Sequence, residues 1–168
     1  MKKMTKIFAG AVALLSSSLA CASLLIPVYM TTADGKGVSV GTVVADDTIY
    51  GLVLTPDLHG LPPGVHGFHI HDMAMCEHDG TAAGGHYDPD KTNKHLGPYD
   101  PGHLGDLPVL IVSEKGRARL PVLAPRLKLE MIKNHALMIH AGGDNYSDSP
   151  EKLGGGGARL ACGLIPYF

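Results

Sequence analysis

The chain has 168 residues, with 14 Lys and Arg against 16 Asp and Glu, a formal net charge of −2, and 22 Gly and 12 Pro but no Trp. That length suits one domain with a real hydrophobic core, and the weight of Gly and Pro argues against a helical bundle or coiled coil. The charge balance argues against a general nucleic-acid or anionic-membrane binder.

Residues 1–22 are read as an address rather than as structure. Lys2, Lys3 and Lys6 precede the apolar stretch Ile7 to Leu15, which is followed by Ser16-Ser17-Ser18-Leu19-Ala20-Cys21-Ala22, the layout of a secretory signal. The apolar stretch is too short for a permanent span, so no stable membrane span is expected. Ala20-x-Ala22 predicts cleavage after Ala22 and a folded domain over 23–168. Ser18-Leu19-Ala20-Cys21 also resembles a weak lipobox, which makes lipid anchoring through Cys21 a minor alternative. Three of the 14 basic residues and none of the 16 acidic ones leave with this segment, so the net charge moves from −2 to −5. Cys76 and Cys162 remain. In an exported chain two cysteines read as one disulfide, and chain-entropy models assign such a closure about 4–5 kcal/mol.

From residue 24 the sequence reads as short strands between turns. Leu24 to Thr32 and Val38 to Ala45 flank the hairpin signal Asp34-Gly35-Lys36-Gly37, and Thr48 to Thr55 follows a turn at Asp46-Asp47. Val65 to His71, Leu107 to Ser113, Ala118 to Leu123, His135 to His140 and Ala158 to Ile165 complete eight runs without a sustained helical period. Leu127 to Lys133 is read as a brief helical turn. This pattern predicts an all-β sandwich or barrel. Residues 72–106 and 141–157, rich in Gly, Asp, Pro and His, break the strand rhythm and are too long to be idle loops.

The chemistry lies in the histidines. His69 and His71 alternate on a strand, so both imidazoles project from one face roughly 7 Å apart and can share a metal ion. The long loop adds His86, His95, His103 and Asp106, and His140 ends a later strand. Imidazole suits copper and zinc, while a carboxylate suits zinc better, so these ligands can divide between two ions.

Gly67-Phe68-His69-Ile70-His71, Gly84-Gly85-His86-Tyr87-Asp88-Pro89, Lys94-His95-Leu96-Gly97-Pro98, Gly102-His103-Leu104-Gly105-Asp106, Leu137-Met138-Ile139-His140 and Gly154 to Gly163 together resemble copper/zinc superoxide dismutase, in its bacterial exported branch. The resemblance spans about residues 24–165 and includes Ala124-Pro125-Arg126-Leu127 and Gly142-Gly143-Asp144-Asn145. It implies an immunoglobulin-like Greek-key β-sandwich or barrel of about eight antiparallel strands with two long functional loops. It also implies one copper and one zinc ion per subunit, dismutation of superoxide, and a periplasmic location.

By position, His69, His71, His86 and His140 match copper ligands, and His86, His95, His103 and Asp106 match zinc ligands, with His86 as the bridge. Arg159 matches the arginine that draws the anion in. Asp144 matches the carboxylate that holds one copper-ligand and one zinc-ligand histidine. Cys76 and Cys162 match the disulfide. Lys91 and Lys94 are candidates for extending the attractive field. His59, His66, His78 and His135 are read as bystanders, with a hydrogen-bonded framework role for His66, and Met73 and Met75 as mostly core or surface. Superoxide is the expected partner, and nothing in the sequence separates a monomer from a homodimer. The main rival reading is a non-catalytic copper or zinc store on the same fold.

Overall fold

The computed structural model describes residues 23–167; the expected signal segment and the Cys21 alternative lie outside the described residues. In β1 (Ser23–Met30) the side chains of Leu24, Ile26 and Val28 turn inward and alternate with exposed neighbours, the two-residue period of a half-buried strand. Then come β2 (Ser39–Thr48), β3 (Gly51–Leu58), β4 (Gly64–His66), β5 (Phe68–His71), β6 (Leu110–Val112), β7 (Val122–Ala124), the single turn α1 (Leu129–Ile132), β8 (Ala136–His140) and β9 (Arg159–Leu164).

Seven strands form one antiparallel sheet in the order β5-β8-β9-β1-β2-β3-β7, and β4 pairs with β6 in a second, two-stranded sheet. β8 lies beside β5 and β9 beside β1, neighbours far apart in the chain, as a Greek-key order requires. Chain segment 110–124 leaves β6, bridges from Ala118 to Leu58, and pairs with β3 as β7. The sheet thus curls on itself around one core that includes Ile26, Val43, Leu54, Leu58, Phe68, Ile70, Leu107 and Leu110.

Several boundaries differ from the sequence reading: β6 and α1 are shorter than the runs Leu107 to Ser113 and Leu127 to Lys133, and three further differences have a clear cause. β2 continues through Asp46 and Asp47, and the hairpin turns two residues later at Ile49-Tyr50. There Thr48 supplies the turn chemistry, its hydroxyl donating to Gly51 O at 2.8 Å and accepting from the Tyr50 N–H. The run from Val65 to His71 is two strands in two sheets. They part at Gly67, whose N–H donates to Gly142 O and whose carbonyl accepts the His140 N–H, both at 2.8 Å. In the run from Ala118 to Leu123 only Ala118 forms an isolated bridge. Regular pairing starts at Val122, because Pro121 has no N–H to offer a ladder.

Two long loops remain, 72–109 between β5 and β6 and 141–158 between β8 and β9. Cys76 of the first loop is disulfide-bonded to Cys162 of β9, across a sequence separation of 86.

Candidate metal centre

β5 lies at one edge of the large sheet, and what covers that edge builds the site. β8 occupies one side of β5. On the other, Tyr87 donates its N–H to Ile70 O at 2.8 Å, Gly105 O accepts the Ile70 N–H at 2.9 Å, and Gly105 in turn donates to Tyr87 O at 2.8 Å. Gly105 is needed for this approach, since a Cβ there would lie 2.2 Å from Ile70 O. His86 and Asp106 are thereby set beside His71 and His69.

His140 and Arg159 are brought in by a register shift. β8 and β9 pair regularly until a bulge between Ile139 and His140, after which His140 lies opposite Arg159. A bulge re-aims the side chains beyond it, here toward His71 and His86. Arg159 donates from Nη1 and Nη2 to Gly80 O and Gly84 O. Gly84 O also accepts the His71 Nδ1–H at 3.0 Å.

Two convergent sets of side chains result, each with its ligand atoms within 4.8 Å of one another: His69, His71, His86 and His140, and His86, His95, His103 and Asp106. His86 belongs to both. The rings of His69 and His71 stand 6.3 Å apart, near the spacing expected of alternate strand residues. All seven side chains are buried. A third convergence, His69, His95 and Asp144, is of another kind. Both histidines donate Nε2–H to Asp144, each at 2.7 Å, so those atoms are already satisfied and one carboxylate ties the two sets together.

The atoms left over test whether metals fit. His69 Nδ1, His86 Nε2 and His103 Nδ1 are buried without a hydrogen-bond partner, while His95 Nδ1 and Asp106 Oδ2 face each other at 2.9 Å. An orphaned buried polar atom costs about 1–3 kcal/mol, so three at one place, beside a buried imidazole–carboxylate pair, call for a ligand. The far nitrogens are occupied: His69 and His95 on Asp144, His71 on Gly84 O, and His140 on Gly157 O at 3.3 Å. This fixes which nitrogen of each ring faces inward, as carbonyl and carboxylate partners do at metal sites. Four imidazoles suit copper, and three imidazoles with one carboxylate suit a closed zinc site.

The two sets differ in electrostatics. Burial lowers the His69 pKa to about 3 and that of His140 to about 4, and holds His71 well below the ordinary histidine value, with neighbouring His86 and Arg159 adding to the effect. Burial also opposes charge on His95, yet the Asp106 and Asp144 carboxylates overcome it and raise its pKa to about 9. Burial works against the charged forms of Asp106 and Asp144 too, but their histidine partners keep both well below the usual carboxylate range.

A cavity of about 370 Å³ opens onto this centre, lined by His71, His86, His140, Arg159 and the 151–157 loop, including Glu151 and Lys152. Lys91 and Lys94 are exposed and do not line it; Lys152, which the sequence reading passed over, does. A smaller apolar groove of about 230 Å³ beside the disulfide contributes none of the histidines.

His66 is buried between two backbone carbonyls, its Nδ1 2.7 Å from His140 O and its Nε2 2.9 Å from Pro62 O. His135 donates to Asp72 O at 2.7 Å and packs on Tyr87. Other supports also went unread in the sequence. Asp148 accepts the His95 N–H at 2.8 Å and so joins the two loops, and Tyr146 Oη accepts the Val109 N–H at 3.0 Å. Gly154, with a φ of +73°, leaves room where a Cβ would stand 2.0 Å from Asp144 Oδ1.

Comparison with known proteins agrees with this geometry. The family model described as copper/zinc superoxide dismutase (SODC) matches residues 39–165. The chain is 55% identical over 153 residues to a superoxide dismutase [Cu-Zn] of Legionella pneumophila, covering 90% of this chain and 93% of that one. It is also 55% identical over 161 residues to superoxide dismutase [Cu-Zn] 2 of Salmonella typhimurium, covering 88% and 93%. Among solved structures, the Cu/Zn superoxide dismutase from Brucella abortus superimposes with a TM-score of 0.82 at 49% identity, covering 86% of this chain and 99% of that one. The monomeric copper, zinc superoxide dismutase from Salmonella enterica gives 0.76 at 56% identity, with the same coverage. With a family model over three quarters of its length and a buried set of histidines that divides around one shared ring, this chain belongs to the copper/zinc superoxide dismutase family.

Proposed function

We propose that the protein converts two superoxide anions and two protons to dioxygen and hydrogen peroxide, with copper held by His69, His71, His86 and His140 and zinc by His86, His95, His103 and Asp106. The observation that carries this reading is the pair of buried ligand sets joined through His86, whose two ring nitrogens face different sets. Bound copper supplies the one-electron oxidation and reduction of superoxide, and zinc, having no redox chemistry, supplies structure.

The chain's own residues do the rest. The guanidinium of Arg159, on the cavity wall opposite His140, attracts the anion into a protein whose net charge is negative. Its two bonds to Gly80 O and Gly84 O hold that charge in place, so little reorganisation is needed when the anion arrives. His86 Nε2 is buried without a hydrogen-bond partner beside the same cavity and is positioned to hold and hand on a proton. Asp144 keeps the inward nitrogens of His69 and His95 free for their ions.

The leader-like segment 1–22 and the similarity to bacterial relatives support a periplasmic enzyme, exported by that segment, which is then removed, and acting on superoxide that arises there or enters from outside. A homodimer is the alternative to a monomer, and sedimentation velocity distinguishes the two. Superoxide-dismutation activity measured on protein with quantified copper and zinc tests the function. Activity that scales with copper occupancy supports it, and full occupancy without activity leaves a metal store instead.

A further inference from the structure

We infer that Arg126, which lies outside both long loops and touches none of the ligand side chains, is a positioning residue for the zinc half of the site. The proposal rests on the zinc assignment above and deepens it.

Arg126 follows β7, between Pro125 and the buried Leu127, so its backbone is anchored on the barrel. Its guanidinium gathers three backbone carbonyls of the 87–107 segment. Nη2 donates to Gly102 O at 2.8 Å, and Nη1 donates to His103 O at 3.2 Å and to Asp100 O. No helix or strand runs through residues 87–107; Asp100 O accepts the Gly102 N–H at 2.8 Å, whereas Gly102 O and His103 O rely on Arg126. A planar fork with several fixed donors can satisfy three carbonyls at once, which a lysine ammonium on a flexible stem cannot do in the same geometry.

The consequence falls on His103. Its N–H donates to Lys94 O at 2.8 Å, next to His95, and its carbonyl is held by Arg126. Both backbone polar groups of this ligand are therefore committed, one to the segment that carries a second zinc ligand and one to the barrel. Three residues on, Asp106 is fixed against β5, and its Oδ1 stands 3.5 Å from His103 Nδ1. Arg126 thus sets the span between a strand-docked carboxylate and a loop-borne imidazole. Three of the four residues of the copper set depend on it less, since His69, His71 and His140 sit on β5 and β8 themselves.

The test compares the intact wild-type holoenzyme with Arg126→Ala and Arg126→Lys. Zinc release to a chromogenic chelator is followed together with copper retention, the visible spectrum of cobalt substituted at the zinc position, and the melting temperature of the metal-free proteins. Zinc release about 10–100-fold faster in Arg126→Ala, the range typical of lost outer-sphere support, with a smaller acceleration in Arg126→Lys, a changed cobalt spectrum and unchanged copper retention, is the expected result. Equal zinc release in wild type and Arg126→Ala overturns the positioning role. So does a fall in metal-free melting temperature accompanied by equal losses of both metals, which marks a merely structural residue. A wild-type protein that binds no zinc overturns the zinc assignment itself, a failure visible before any variant is made.

Discussion

The two halves of the metal centre are built from different materials. His69, His71 and His140 stand on β5 and β8, whose backbones are locked in the sheet, whereas His95, His103 and Asp106 stand on a segment with no regular structure. The strand-borne half is placed by the same burial that makes the core and holds its imidazoles neutral. The loop-borne half is placed by single hydrogen bonds to Asp144, Asp148, Lys94 and Arg126, and its carboxylates draw positive charge inward. Preorganisation by packing and by polar ties therefore sit side by side, meeting at His86 and Asp144.

The largest expected effect comes from removing the shared ring. His86→Ala takes a ligand from both sets, so both metals are lost or displaced and activity falls by more than the roughly 10–100-fold usual for an outer hydrogen-bonding partner. Metal analysis with the activity assay checks this, and loss of one metal alone would show that the halves are independent.

Asp144→Ala comes next, with about a 10–100-fold loss of metal affinity expected. It frees the far nitrogens of His69 and His95 together, but the sheet still holds His69 in place while His95 loses one of its ties. Zinc affinity is thus expected to fall further than copper affinity in competitive chelation. Equal losses would erase the contrast between strand and loop.

Arg159→Ala is expected to reduce low-salt turnover about tenfold, the low end of electrostatic steering effects, while metal content stays near wild type. Stopped-flow measurements across ionic strength check it; an unchanged low-salt rate would remove the steering role.

Acid and alkali sharpen the contrast further in the metal-free protein. His69 and His140 have depressed pKa values, so between pH 6.5 and about 4 the unfolded chain takes up protons that the fold refuses. Stability then falls by up to about 1.4 kcal/mol per pH unit for each. His95 behaves oppositely: its raised pKa contributes stability below pH 6.5 that is lost as pH rises through about 9. Imidazole titration by NMR alongside denaturant melts reads both signs, and a His95 titrating near 6.5 would contradict the second.

The same division explains what the sequence could reveal. Ligands on strands are legible because alternation alone puts His69 and His71 on one face, and the loop ligands are legible through motif resemblance. The bend at Gly67 is not legible, because it depends on the distant Gly142 and His140. The extension of β2 past Asp46 and Asp47 is likewise settled by pairing with β3, against the turn tendency of two aspartates. Asp148 carries no local signal, and although Arg126 and Gly154 fall in stretches of family resemblance their roles are not legible there, since each acts on residues far away in the chain.

The capped edge of β5 has one more consequence, for association. Residues 85–87 and 105–106 carry two of the candidate ligands, His86 and Asp106, but they also occupy backbone donors and acceptors that an edge strand would otherwise present to solvent. Whatever loosens those segments uncovers a template for another chain to pair with. Chelation is therefore expected to raise light scattering as well as abolish activity, and a metal-stripped sample that stays monodisperse would show the cap holding without its ions. Scattering that rises on chelation means that the ions serve the protein's solubility as well as its chemistry.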